Sequence, residues 1–137
     1  MTFSRIVVGT DGSVNAACAV TRAADLAEAV HGQLVVVTAV GLLSNATSPG
    51  DHELLRTQLE HEWTASARRP GLAVRTILRD GNPVAVLLAV ADEVDADVIV
   101  VGSRGFGGFP ELLLGSTSTQ LAQHAHRAVL IVPRAGP

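Results

Sequence analysis

The chain contains no lysine; its 10 basic residues are all arginine. That absence excludes several chemistries. A P-loop places a lysine on the β/γ-phosphates within G-x-x-x-x-G-K-[ST], and no such run occurs. Schiff-base and lysine general-base mechanisms are excluded with it. Any bound phosphate must be held by backbone N–H groups, hydroxyls, arginine or a metal ion. Cysteine is nearly absent: Cys18 is alone, so it forms no internal disulfide. Its alanine-rich surroundings read as a helix with a small buried thiol, in a cytoplasmic protein. Long apolar runs are missing too. Ile6 to Val8 and Val98 to Val101 fall far below the ~20 residues that span a bilayer. No N-terminal basic-plus-apolar segment resembles a secretory signal. The net charge of −3 offers nothing to nucleic acid or acidic lipid. With 47% hydrophobic and 17% charged residues, the chain is not disordered. Its 137 residues are expected to form one domain, 1–137, that needs no staple.

Five short apolar runs alternate with helical patterns. Arg5 to Gly9 reads as a strand, followed by the turn Thr10-Asp11-Gly12-Ser13 with Ser13 as N-cap. Val14 to His31 has helical spacing, and Gly32 is expected to end that helix in the C′ position. Leu34 to Val40 is a continuous apolar strand of the kind buried on both faces of a parallel sheet. A second helix is expected from Pro49 to about Arg69, before Pro70-Gly71. Leu72 to Leu78 reads as a strand. Asn82-Pro83 opens a helix that runs to about Glu93 or Asp95. Asp97 to Val101 and Ala128 to Val132 are the last strands, with Ser116 capping a helix between them. This order implies an open five-stranded parallel sheet with helices on both faces.

Ligands of such sheets sit at the carboxyl ends of the strands, where strand order reverses. The first and fourth strands end in unusual loops, Gly9 to Ser13 and Gly102 to Gly115. If those strands are neighbours, both loops line one crevice. The second loop carries the more informative pattern: Gly102-Ser103-Arg104-Gly105, nine residues, then Gly115-Ser116-Thr117-Ser118. A strand, a glycine loop and a helix start make a phosphate site. Glycines let the backbone approach an anion, and the helix start offers N–H groups and a positive dipole end. The third glycine is expected at positive φ. The bland alternative is a surface loop with turn glycines. Gly107-Gly108, three hydroxyls and Arg104 favour function.

Several residues have two readings. Asp11 accepts hydrogen bonds from ribose hydroxyls, or sits near a bound Mg²⁺, or is an Asx-turn residue beside Gly12. Ser13 is first an N-cap and secondarily a ligand contact. Val40 offers backbone groups to a base edge, or is an ordinary strand end. Arg104 meets phosphate, or is a solvated loop charge. His124 and His126 are two apart and cannot chelate one metal from a helix. No matched acid and base for turnover is evident.

The segments Ile6 to Ser13, Ala96 to Gly105, Leu112 to Ser116 and Ala128 to Pro133 together resemble the universal stress protein family, over about residues 3–133. The fold implied is Rossmann-like, of the adenine nucleotide alpha hydrolase type. The ATP-binding branch of that family carries G-x2-G-x9-G-[ST], and this sequence keeps that spacing. The resemblance implies an adenine-nucleotide binder, ATP with or without Mg²⁺, acting in stress response. It assigns Asp11 to ribose, Val40 to adenine through its backbone, and Gly102, Gly105, Gly115 and Ser116 to the phosphates. Ser103, Arg104, Thr117 and Ser118 become their neighbours, with Gly9, Thr10 and Ser13 on the other loop. It also implies a homodimer through the last strand. Phe106 and Phe109-Pro110 depart from the family pattern. The competing readings are a cAMP binder, because some family members prefer cAMP, and a slow ATPase. No enzyme beyond incidental hydrolysis is expected.

Overall fold

The computed structural model describes residues 3–40, 49–104 and 115–134. The strands are β1 (Arg5–Gly9), β2 (Gln33–Ala39), β3 (Ala73–Arg79), β4 (Val98–Gly102) and β5 (Ala128–Val132). The helices are α1 (Val14–Ala29), α2 (Pro49–His61), α3 (Pro83–Val94) and α4 (Ser116–His124). The strands form one sheet in the order β3-β2-β1-β4-β5, and every pairing is parallel. The sequence thus runs outward from β1 to β3, then returns to β4. The reversal point lies between β1 and β4, which pair directly through Ile6, Val7 and Val8 with Val98, Ile99 and Val100. The expected open parallel sheet and the adjacency of the two loop-bearing strands are both borne out.

Each sheet face has its own core. Ile6, Val8, Leu34, Val36, Val98 and Val100 face the alanine stripe of α1 together with Leu59 and Ala67. Val7, Val35, Val37, Ile99 and Val101 face α3 and Leu121 of α4. Alternate residues of β1, β2 and β4 are therefore buried on both sides, which is why these strands read as unbroken apolar runs. Burying each such side chain contributes about 1.5–3 kcal/mol. Small residues on α1 (Ala16, Ala19, Ala23, Ala24 and Ala27) let the helix lie close to the sheet. Cys18 is half-buried against that core rather than enclosed in it. Among the described residues no helix is long and apolar enough to cross a membrane.

Several boundaries differ from expectation; β2 and β3 shift by a single residue at each end. Helix α1 ends at Ala29, and His31 rather than Gly32 takes the left-handed conformation, with φ 53°. The Gly32 N–H reaches the Ala27 carbonyl at 2.8 Å and the His31 N–H reaches Glu28 at 3.3 Å, so the chain closes a Schellman motif one residue early. Gly32 is needed for space: a Cβ there would lie 2.2 Å from the Ser4 carbonyl oxygen. Helix α2 stops at His61, well short of Arg69. There the Gln58 carbonyl accepts from both Glu62 and Trp63, and the Thr64 hydroxyl takes the Glu60 carbonyl. The side chain competes with the helical ladder, and a 3₁₀ turn, Ala65–Ala67, follows. Asp97 lies just outside β4. Its Oδ2 accepts the backbone N–H groups of Ser4 at 2.8 Å and Arg5 at 2.9 Å, fastening the start of β1 to that of β4.

Candidate functional site

The carboxyl ends of β1 and β4 open toward the same side, and the polar residues there are held by one another. Thr10 continues the β1–β2 ladder, its N–H donating to Val37 at 2.9 Å. Its carbonyl accepts from the buried Thr38 hydroxyl at 2.9 Å, and its Oγ1 accepts the Gly12 N–H at 3.1 Å. Asp11 is buried, and its Oδ1 accepts the Ser13 N–H at 2.9 Å, which is the Asx turn. Ser13 caps α1 by accepting the Ala16 N–H at 3.2 Å. Gly12 sits at φ +83°, a conformation only glycine adopts cheaply. A Cβ there would also lie 2.5 Å from the indole ring of Trp63. Trp63, the single tryptophan, therefore roofs the turn that carries Asp11.

The second loop leaves β4 at Gly102, which abuts the first turn of α1. The Ser103 N–H donates to Val132 at 2.9 Å, extending the β4–β5 ladder. The Ser103 carbonyl accepts the Gly115 N–H at 2.6 Å and the Ser118 hydroxyl at 2.9 Å. The loop thus leaves and returns at one place, although Gly102 and Gly115 are thirteen positions apart in sequence. The Ser118 hydroxyl also donates to Gly115 at 3.1 Å, and Thr119 Oγ1 donates to the same carbonyl at 2.8 Å. Ser118, only 2% exposed, ties the start of α4 to the end of β4.

The expected N-cap of α4 is corrected. Gly115 occupies that position and Ser116 is the first helical residue. Gly115 has φ −78°, not the expected positive value. A Cβ there would fit closely, 3.3 Å from Arg104 Cα and at an ordinary contact distance of 3.5 Å from the Ser103 carbonyl oxygen. The N-caps of α1 and α3 differ from it. Ser13 occupies one N–H of α1, and Asn82 accepts from Val84 and Ala85 at 2.9 and 3.2 Å, whereas α4 has no side-chain cap.

The structure therefore gathers Gly9, Thr10, Asp11, Ser13, Gly102, Ser103, Arg104, Gly115, Ser116, Thr117 and Ser118 at the carboxyl ends of two neighbouring strands. Val40 is buried immediately after β2, the neighbour of β1 on its other side. Gly105, Phe106, Gly107, Gly108, Phe109 and Pro110 lie outside the described residues. Sequence reasoning missed Thr38 and Trp63. Thr38 had a signal, being a hydroxyl inside an otherwise apolar strand. The contact of Trp63 with Gly12 spans 51 positions and left no local trace.

A separate cleft of about 430 Å³ lies at the opposite end of the sheet. Arg5, Gln33, Arg75 and Asp95 line its mouth, and the Arg5 guanidinium lies 3.7 Å from the Asp95 carboxylate. It is remote from the glycine loop.

Comparison with known proteins agrees with this geometry. The chain matches the model of the universal stress protein family over residues 2–133. Universal stress protein YxiE of Bacillus subtilis (strain 168) is 31% identical over 147 aligned positions, covering 95% of this chain and 99% of that protein. Universal stress protein Rv1636 of Mycobacterium tuberculosis is 33% identical, covering 95% and 96%. A universal stress protein solved in complex with cAMP superposes with a TM-score of 0.78, at 33% identity over 98% of this chain and all of that one. With a family match over nearly its whole length and relatives a third identical throughout, the chain belongs to the universal stress protein family.

Proposed function

We propose that this chain binds an adenine nucleotide across the carboxyl ends of β1 and β4 and acts as a regulatory module, not as an enzyme. The observation that carries the reading is the bare start of α4. Helices α1 and α3 cap themselves with Ser13 and Asn82, whereas α4 begins on a glycine without a side-chain cap. N–H groups so exposed, at a positive dipole end, suit an anion. The spacing Gly102-x2-Gly105-x9-Gly115-Ser116 supports the same assignment.

In this reading Gly102, Ser103, Gly105, Gly115, Ser116 and Thr117 cradle the phosphates and Arg104 adds charge. Ser118 acts mainly through the loop it closes. Asp11 meets the ribose, Val40 meets the base through its backbone, and Gly9 and Thr10 form the wall between them. ATP is the first reading. Mg²⁺ would arrive with the triphosphate and take oxygen ligands, for which Asp11 is the carboxylate on this crevice among the described residues. A specific observation favours cAMP as a second reading: a relative of equal length, 33% identical, was solved with that nucleotide. The lack of lysine leaves hydrolysis slow and incidental. The proposed location is cytoplasmic, with which a single unpaired cysteine is compatible.

The last strand supports self-association. Among the described residues β5 pairs only with β4 and is the sheet's edge, with Leu130 41% exposed on it. A homodimer through Ala128 to Val132 covers that edge. Light scattering should find a dimer, and Leu130→Lys should shift it toward monomer; an unchanged mass would count against this surface.

The nucleotide reading is tested on protein purified without added ligand. The protein is denatured, and any released nucleotide is identified by chromatography and mass. Recovered ATP supports the first reading and recovered cAMP the second. An empty protein that takes up neither in titration would contradict both.

A further inference from the structure

Strand register puts two cations and an amide on one shelf at the amino ends of the strands. Val35 faces the α3 core, so Gln33, two residues before it, faces the same way. Arg5 and Ala73 flank Gln33 in the ladder, and Arg75 stands opposite Val35. All of them therefore lie on the α3 side of the sheet. Helix α3 packs on β1, β2 and β4, whereas α2 covers β3 from the other face. The shelf beside α3 is left open. Gln33, Ala73 and Arg75 are exposed on it, and together with the end of α3 they line the cleft of about 430 Å³. A volume of that order suits a small organic ligand.

The charges around this cleft are unequally committed. On the α3 wall the Glu93 carboxylate accepts from both terminal nitrogens of Arg79, one of them at 2.6 Å. Asp95 Oδ1 accepts from Arg127 at 3.3 Å. Arg5 lies 3.7 Å from Asp95, beyond hydrogen-bond length. The Arg75 guanidinium, among the described residues, makes no hydrogen bond and no ion pair within 4 Å. The strand wall thus offers a planar cation with its donors unused, and a carboxylate matches that fork. The α3 wall has the opposite character. Its two acids and the negative end of the helix dipole repel a second negative charge.

We propose that this cleft is a second ligand site, for a small organic monocarboxylate. The carboxylate sits on Arg75 and Gln33, and an uncharged apolar body lies over Val35 and Val94. The site is remote from the glycine loop and does not depend on the nucleotide reading.

The test is titration of the isotope-labelled full chain followed by amide NMR, with 2-naphthoate as the probe. The amides of Gln33, Ala73, Arg75 and Val94 should move and saturate, with a Kd of about 1 mM for a ligand of this size. Those of residues 102–104 and 115–118 should stay. Arg75→Gln, a change at an exposed position, should bind 2-naphthoate about 10-fold more weakly. The neutral 2-naphthamide should lose about 10-fold on the parent, and should bind Arg75→Gln as it binds the parent. The dianion 2-naphthyl phosphate should bind more weakly than 2-naphthoate. Shifts that do not saturate, or that fall on residues 102–118, would overturn the site. Equal binding of 2-naphthoate by Arg75→Gln, or of 2-naphthamide by the parent, would remove the carboxylate from Arg75. Tighter binding of the phosphate would contradict the single negative charge.

Discussion

At the amino ends of the strands, charged side chains hold the sheet. Asp97 fastens β1 to β4 through the Ser4 and Arg5 N–H groups. Arg127, just before β5, reaches Asp92 at 3.0 Å, Asp95 at 3.3 Å and the Ala96 carbonyl at 2.6 Å. At the carboxyl ends of β1 and β4, hydroxyls and backbone serve instead: Thr38 on Thr10, Ser13 on Ala16, Ser118 on Ser103 and Gly115. At the amino end Asp97 and Arg127 answer groups already in the protein. At the carboxyl end, among the described residues, α4 starts on Gly115 with no side-chain cap. The difference teaches that the two ends of β1 and β4 are fastened by different chemistry, carboxylates at one end and hydroxyls and backbone at the other, where the proposed nucleotide would sit.

Substitutions at the two ends should therefore have separable effects. Gly32→Ala attacks the amino end, where its Cβ would lie 2.2 Å from the Ser4 carbonyl oxygen. It should cost about 3 kcal/mol of stability, read from the denaturant midpoint. The protein that remains folded should bind nucleotide within about 2-fold of the parent. Gly115→Val attacks the other end. A branched side chain against Arg104 and Ser103 should fill the cradle and weaken nucleotide binding by about 100-fold, or ~2.8 kcal/mol. Its denaturant midpoint should correspond to a loss of only about 1 kcal/mol. A large stability loss in Gly115→Val with intact binding would erase the division.

Ser118→Ala is a finer probe, because it removes the hydroxyl that ties loop to helix and leaves the Gly115–Ser103 bond in place. It should cost about 1–2 kcal/mol by thermal unfolding. Asp97→Asn sharpens the comparison through pH. The Ser4 N–H, then the Arg5 N–H, hold the Asp97 carboxyl below its ordinary range, against a smaller opposing effect of burial. Its contribution is complete above the ordinary aspartate pKa of about 3.9 and is lost as pH falls through the lowered value. Asp97→Asn should melt below the parent at pH 7, with the gap closing in acid. A gap independent of pH would mean that the carboxylate's charge is not what fastens β1 to β4.

Much of this division was legible in the residues. The apolar runs Ile6 to Val8, Leu34 to Val40 and Val98 to Val101 announced strands buried on both faces. Asn82-Pro83 marked the start of α3, and Ser13 the cap of α1. The place of the crevice followed from strand alternation and the two odd loops. What stayed hidden depended on contacts distant in sequence. Gly115 lies close to Arg104 and Ser103 across the loop and has an ordinary negative φ, neither of which its own neighbours in sequence reveal. The left-handed residue at the end of α1 is His31, because Gly32 is pressed against Ser4, 28 positions away. The early stop of α2 depends on Thr64 turning its hydroxyl back to Glu60, a choice that helical periodicity does not reveal.

The most direct test is a paired titration of the parent chain and Gly115→Val with ATP and with cAMP, at matched folded concentrations. The account predicts one site per chain for an adenine nucleotide in the parent and its loss in the variant, with both proteins still folded. No binding of either nucleotide to the parent, or equal binding to both proteins, would contradict it.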